Sequence, residues 1–164
     1  MRQIVDTMSV VAKHQSSAPV DLAAMAHELG IRVYQEALGD AVSGKLTRDA
    51  VNGGPSGFAI YLNSYHHPNR RRFTLAHEIA HFILHRDLIE SGLTDNTLYR
   101  SGLPEPHEVQ ANRLAAEMLM PDKLLRQYYR EGHDTRSLAS LFGVSEAAMR
   151  IRLDTLNLQQ ESLF

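Results

Sequence analysis

Apolar residues return every three or four positions at Ile4, Val5, Met8, Val11 and Ala12, which predicts an amphipathic helix over residues 3–14. Residues 16–19 (Ser-Ser-Ala-Pro) break that pattern, and a second helix is expected from Asp21 to Leu29, stopped by Gly30. The period then shortens. Residues 31–38 (IRVYQEAL) alternate as a strand does, and residues 41–47 (AVSGKLT) can pair with them across Gly39-Asp40. After the turn cluster Asn52-Gly53-Gly54-Pro55, residues 57–62 (GFAIYL) make a third strand. Links this short predict an antiparallel meander. The segment SYHHPNRR reads as a loop, with Arg70, Arg71 and Arg72 as a solvated charge run, before a long helix from about Phe73. Residues 86–104, with Gly92, Gly102 and Pro104, read as irregular; a helix from about 106 to 119 halts at Pro121, and residues 122–158 read as three short helices.

This order of elements predicts an α+β fold, a small antiparallel sheet packed on helices. It divides into a core over residues 1–121 and a C-terminal helical segment over 122–164. On a helical wheel, Phe73, Leu75, Ala76, Ile79, Ala80, Phe82, Ile83 and Leu84 cover most of the circumference of the long helix, which marks it as buried. Its only polar stripe holds Thr74, His77, Glu78, His81 and His85, all within about 100° of arc. Burying several ionisable groups together is costly unless something binds them.

The 164 residues carry a formal net charge of −2 and a sequence pI of about 6.5, so no global field draws the chain to nucleic acid or an anionic membrane. Cysteine is absent, which excludes disulfides, thiol catalysis and thiolate metal sites; any zinc must be held by His, Asp or Glu. A chain without cysteine suits the cytoplasm. No apolar run is long enough to span a bilayer, and Asp6 and Lys13 interrupt the first helix, which lacks the cleavage site of a signal peptide.

The stripe contains His77-Glu78-Ile79-Ala80-His81. Histidines at i and i+4 stand one helical turn apart on one face, and both imidazoles can reach one Zn²⁺. Glu78, beside them, can take a proton from a water in the fourth position and return it to a leaving amine. A third protein ligand is then needed. Position 87 is Asp and position 84 is Leu, so the arrangement with a third histidine six residues on, after a glycine, is absent. Within residues 106–119, Gln110, Arg113 and Glu117 form a polar arc, whereas Glu108 and Asn112 lie among Ala111, Ala115, Ala116 and Leu119. A carboxylate on the buried arc needs a partner, which selects Glu108 as the ligand, with Asn112 orienting it or a neighbouring group. His85 and Asp87 are the rivals. Ligands at 77, 81 and 85 would spread over about 12 Å of helix rise, too far to converge on one ion.

RRRFTLAHEIAHFILH followed by EVQANRLAAEMLMP resembles the ImmA/IrrE metallopeptidase family, and the similarity runs into LASLFGVSEAAMRIRLDTLNL and over most of residues 20–158. The resemblance implies a minimal zincin-like core. It assigns the family's metal-binding histidines to His77 and His81, its catalytic glutamate to Glu78 and its third ligand to Glu108. Where the family favours Gly before the second histidine, this chain has Ala80. It further implies a cytoplasmic protein acting beside a helix-turn-helix repressor that it cleaves, or within a toxin–antitoxin-like pair.

In zincins the substrate lies along an edge strand, for which residues 57–62 are the candidate. Tyr99, His107 and His133 are candidates to stabilise the oxyanion. Residues 136–157 resemble a helix-turn-helix, with Ser145 as a cap and Arg150 and Arg152 on the second helix. From residue 123 onward there are six basic and five acidic residues, which lacks the basic surplus that phosphate binding needs. The segment is therefore expected to be structural or to dock a protein. Two functions follow from this reading. One is a zinc endopeptidase acting on a helix-turn-helix repressor or antitoxin. The other is a non-enzymatic regulator or toxin-like component with a structural metal site that binds protein or DNA. Glu78, which has no use in a purely structural site, favours the first. Imidazole and carboxylate also suit other divalent ions.

Overall fold

The computed structural model of the chain describes residues 2–90 and 105–158. The elements run α1 (Arg2–Lys13), α2 (Leu22–Glu28), β1 (Ile31–Glu36), β2 (Gly44–Arg48), β3 (Phe58–Asn63), α3 (Pro68–Glu90), α4 (Glu105–Leu119), α5 (Asp122–Arg130), α6 (Thr135–Phe142) and α7 (Glu146–Thr155). The architecture is α+β, with a three-stranded sheet against the helices.

The sheet is mixed, not antiparallel, and its order is β1-β3-β2. β3 runs parallel to β1, with Ile31 opposite Phe58, and antiparallel to β2, with Gly44 opposite Leu62. Pairing of β2 with β1 does not occur; the link from β1 passes over the end of β3 instead. The reason lies in the side chains. Every residue of β3 is buried, whereas β1 and β2 each carry polar positions that reach the surface. A strand with no polar alternation needs a neighbour on both sides and cover on both faces. β3 therefore takes the centre, and the edges fall to β1 and β2. The expectation that residues 57–62 form the substrate edge is overturned by the same fact.

α3 begins at Pro68, five residues before the expected start. Proline suits the first helical position, where its missing N–H costs nothing. The three arginines therefore lie on the first turns of a helix, not in a loop. Arg70 donates to Ser43 Oγ at 3.1 Å, Arg71 to Gln35 Oε1 at 2.9 Å, and Arg72 to the carbonyls of Val20 and Phe142. At its other end α3 continues to Glu90, so the first part of the stretch expected to be irregular is helical; residues 91–104, Tyr99 among them, lie outside the described residues.

The core joins the sheet to α3, α4 and the C-terminal helices. Phe58 of β3 and Phe82 of α3 meet edge to face at 5.4 Å between ring centroids. Ala76, Ile79 and Ala80 belong to the same buried cluster as Ala111, Ala115 and Met118 of α4 and Leu125, Phe142 and Met149 of the C-terminal helices. Alanines on both α3 and α4 let the two backbones come close. Leu84 departs from the expected burial and is 46% exposed. Gly44 marks another close approach: a Cβ there would sit 2.6 Å from Thr74 Cγ2, so β2 lies directly against α3.

Asp134 and Ser145 cap α6 and α7 by accepting from Ser137 N and Ala148 N. Between the two helices Gly143 adopts the left-handed conformation at φ 67°. Arg152 does not project as a base-reading residue would. It is buried, and its Nε donates to the Met120 carbonyl at 3.0 Å, tying α7 to the end of α4.

Candidate metal centre

α3 and α4 pack side by side and carry the whole centre between them. His77 Nε2 lies 3.1 Å from Glu108 Oε2, His81 Nε2 lies 3.0 Å from Glu108 Oε1, and the two Nε2 atoms are 3.0 Å apart. Among the described residues these three side chains form the group of potential metal ligands, with their ligand atoms all within 4.8 Å of one another. Zinc binds such atoms at about 2.0–2.1 Å, so a tetrahedral site would space them roughly 3.3 Å apart. The observed separations lie close to that edge length, and two neutral imidazoles with one carboxylate are a donor set zinc accepts. The residues present fit the ion.

Hydrogen bonds outside the triangle set which ring nitrogen carries the proton. His77 Nδ1 is 2.8 Å from Asn112 Oδ1, an oxygen that can only accept, so Nδ1 keeps a proton and Nε2, which meets Glu108, is the nitrogen that would give up its own to ligate an ion. Asn112 thus orients His77. His81 Nδ1 is 2.9 Å from His85 Nδ1, and His85 Nε2 is 2.9 Å from Gln110 Oε1. His85 sits on the Nδ1 side of His81, away from the triangle, while Glu108 sits on the Nε2 side. Asp87 is exposed and outside the group.

The electrostatics follow from burial and from these contacts. Burial works against a charged His77, but hydrogen bonding to Glu108, the field of Glu78 and Glu108, and Asn112 outweigh it, and its pKa is raised. Burial likewise opposes the charge on Glu108, yet hydrogen bonds from His77 and His81 hold its pKa down at about 2. Burial pushes Glu78 up, against the pull of His77 and His81. Burial lowers His85, which keeps that ring neutral.

Glu78 is buried and is not one of the three ligand residues. It lines a cleft of about 190 Å³ together with His77, Glu108 and Asn112, closed on the sheet side by Ser43 and Gly44. The start of the β2 edge therefore forms one wall of the site. Arg70 lines the same cleft. Of the oxyanion candidates, His107 meets His85 edge to face with ring centroids 4.7 Å apart, and His133 bonds Ser137 Oγ on the C-terminal helices. Neither is among the described residues of the cleft wall. The wheel put Gln110 on the solvent arc of α4, and nothing in its spacing marks the bond to His85. Ser43, Gly44 and Arg70 were equally hidden, because their place depends on where β2 lies.

The family described as the IrrE N-terminal-like domain matches residues 26–154, from within α2 to within α7. The chain belongs to this metallopeptidase family. The IrrE-like region thus includes both helices of the centre, the sheet and the three C-terminal helices. Among relatives, the radiation response metalloprotease IrrE of Deinococcus radiodurans is 35% identical over 108 residues, which is 64% of this chain and 32% of that protein. An "Uncharacterized immunity region protein 2" of Bacillus phage phi105 is 27% identical over 135 residues, 82% of this chain and 78% of the phage protein. A Mycobacterium tuberculosis transcriptional regulator shares the fold, with a TM-score of 0.61 at 21% identity over 98% of this chain and 48% of its own. This IrrE-like chain therefore corresponds to about a third of IrrE and half of that regulator. No helix among the described residues is long and apolar enough to cross a membrane.

Proposed function

We propose that the chain is a zinc endopeptidase in which His77, His81 and Glu108 hold the ion and Glu78 is the general base. One observation carries this reading: three ligand atoms are gathered at the spacing of a zinc site, and a buried fourth ionisable group, Glu78, faces the same cleft without joining them. A structural site would use all its nearby donors and close over; a hydrolytic one keeps a position open. Bound zinc lowers the pKa of a water towards about 7 and polarises the carbonyl of the scissile bond. The Glu78 carboxylate takes the proton of the attacking water and delivers it to the departing amide nitrogen as that bond breaks. Its displacement upward by burial makes it a better proton acceptor than an exposed glutamate. Asn112 holds His77 in the tautomer that can bind metal.

The substrate polypeptide lies extended along β2, whose outer edge pairs with no other strand among the described residues and whose first residues border the cleft. A protein partner of the helix-turn-helix repressor or antitoxin type suits this reading. The resemblance to ImmA/IrrE proteins implies such a substrate, and one relative is described as a phage immunity region protein. Direct DNA binding is disfavoured, since Arg152 is spent inside the fold. The test is to incubate the zinc-loaded chain with a helix-turn-helix repressor encoded beside its gene and to map products by mass spectrometry. Cleavage at one bond, lost in Glu78→Gln and in Glu108→Ala, supports the proposal. An intact repressor, or cleavage that survives Glu78→Gln, overturns it.

A further inference from the structure

We propose that His85 and Gln110 are positioning residues that act in series on His81, forming a tautomer relay that decides whether its Nε2 presents a lone pair to the metal. The inference rests on the zinc reading above. Three contacts form the line. Gln110 Oε1 lies 2.9 Å from His85 Nε2, His85 Nδ1 lies 2.9 Å from His81 Nδ1, and His81 Nε2 lies 3.0 Å from Glu108.

The protons along this line have one consistent arrangement once the first is set. An amide oxygen only accepts, so His85 carries its proton on Nε2. A neutral imidazole holds one proton, so His85 Nδ1 is bare and must accept from His81 Nδ1–H. With zinc bound, the one proton of His81 then stays on Nδ1 and its Nε2 lone pair is free to ligate. A donor at position 110 reverses every step. His85 Nε2 would become the acceptor, its Nδ1–H would point at His81 Nδ1, and His81 would be left with Nε2–H aimed at the ion. The two metal histidines thus differ. His77 is set directly by Asn112, whereas His81 is set by a two-residue line that ends on an exposed side chain. His85 itself is 4% exposed, so water cannot replace it in the middle of the line.

The experiment measures zinc affinity of the full chain by competition with a chromogenic chelator. His85→Phe removes the acceptor and keeps a ring; affinity falls about 10- to 100-fold, the usual effect of losing a partner behind a metal ligand. His85→Asn offers an amide oxygen and recovers most of the loss. Gln110→Lys supplies only donors and weakens zinc binding, whereas Gln110→Glu does not. Val109→Lys adds the same charge one residue away on an exposed site, and so separates simple repulsion from the relay. Because position 110 is on the surface, the melting temperature of the metal-free protein stays unchanged in both Gln110 variants, which keeps the test valid if His85→Phe fails to fold. Nitrogen-15 spectra of the zinc-loaded wild type show His81 protonated on Nδ1. Zinc affinity in Gln110→Lys equal to that in Val109→Lys, or His81 bound through Nδ1, overturns the relay. If wild type takes up no more zinc than Glu108→Ala, the metal centre itself fails and the relay goes with it.

Discussion

Replacing Glu78 by glutamine changes one atom of a buried side chain and separates its proposed role as general base from its effect on stability. The general base is worth about 10²- to 10⁴-fold in rate. At about 1.36 kcal/mol per tenfold, the variant should lose roughly 2.7–5.4 kcal/mol of transition-state stabilisation, seen in kcat and not in KM. Zinc content should be unchanged, because Glu78 is not among the ligand residues. Stability should move the other way. Glu78 has its pKa raised from 4.5, chiefly by burial. Well below that ordinary value the carboxyl is protonated in both folded and unfolded chains, so it makes no difference. As pH rises through 4.5 the unfolded chain ionises first, and the native state is progressively penalised for burying the group until the folded pKa is passed. The metal-free Glu78→Gln protein should therefore melt with wild type in acid and above wild type at neutral pH. A bound dication shrinks that gap, because it favours the carboxylate. The assays are repressor cleavage with purified variants, zinc by atomic emission, and metal-free melting curves across pH. Turnover at the wild-type rate would refute the general-base role, and a lower neutral melting temperature would refute the account of burial.

Asn112→Ala frees the His77 ring and should weaken zinc about tenfold or more, with little change in melting because Asn112 is exposed; chelator competition checks it. Zinc should be released on acidification through the histidine range, led by His77 with its raised pKa, while Glu108 stays ionised down to about 2; dialysis at stepped pH measures this, and retention of zinc throughout the histidine range contradicts it. Arg152→Met removes a buried charged hydrogen bond to the Met120 carbonyl and should cost about 1.5–3 kcal/mol in chemical denaturation while leaving zinc affinity intact.

The order of helices and strands, the burial of α3 and the placing of Glu108 on the inner arc of α4 were legible along the chain, because each is a matter of local period. Three- and four-residue spacing marked α3 as an apolar cylinder with a single stripe of histidines, and the same spacing on α4 separated Glu108 from the wet Glu117. Ser145 announced the start of α7 by its own capping preference. What period cannot carry is which elements become neighbours. The continuous apolar run of Phe58–Leu62 held a hint that β3 is central, but the shortness of the links argued for a simple meander, and only packing on both faces resolved it. From that insertion follow the exposed β2 edge, the position of Ser43 and Gly44 at the cleft, and the partners of Arg70 and Arg71. Gln110 belongs with these. Its backbone position faces water, and its role arises from a long side chain reaching across to another helix. Spacing along one helix sorts buried from exposed, but a hydrogen bond between two helices depends on their depth and register against each other, which tertiary packing alone decides.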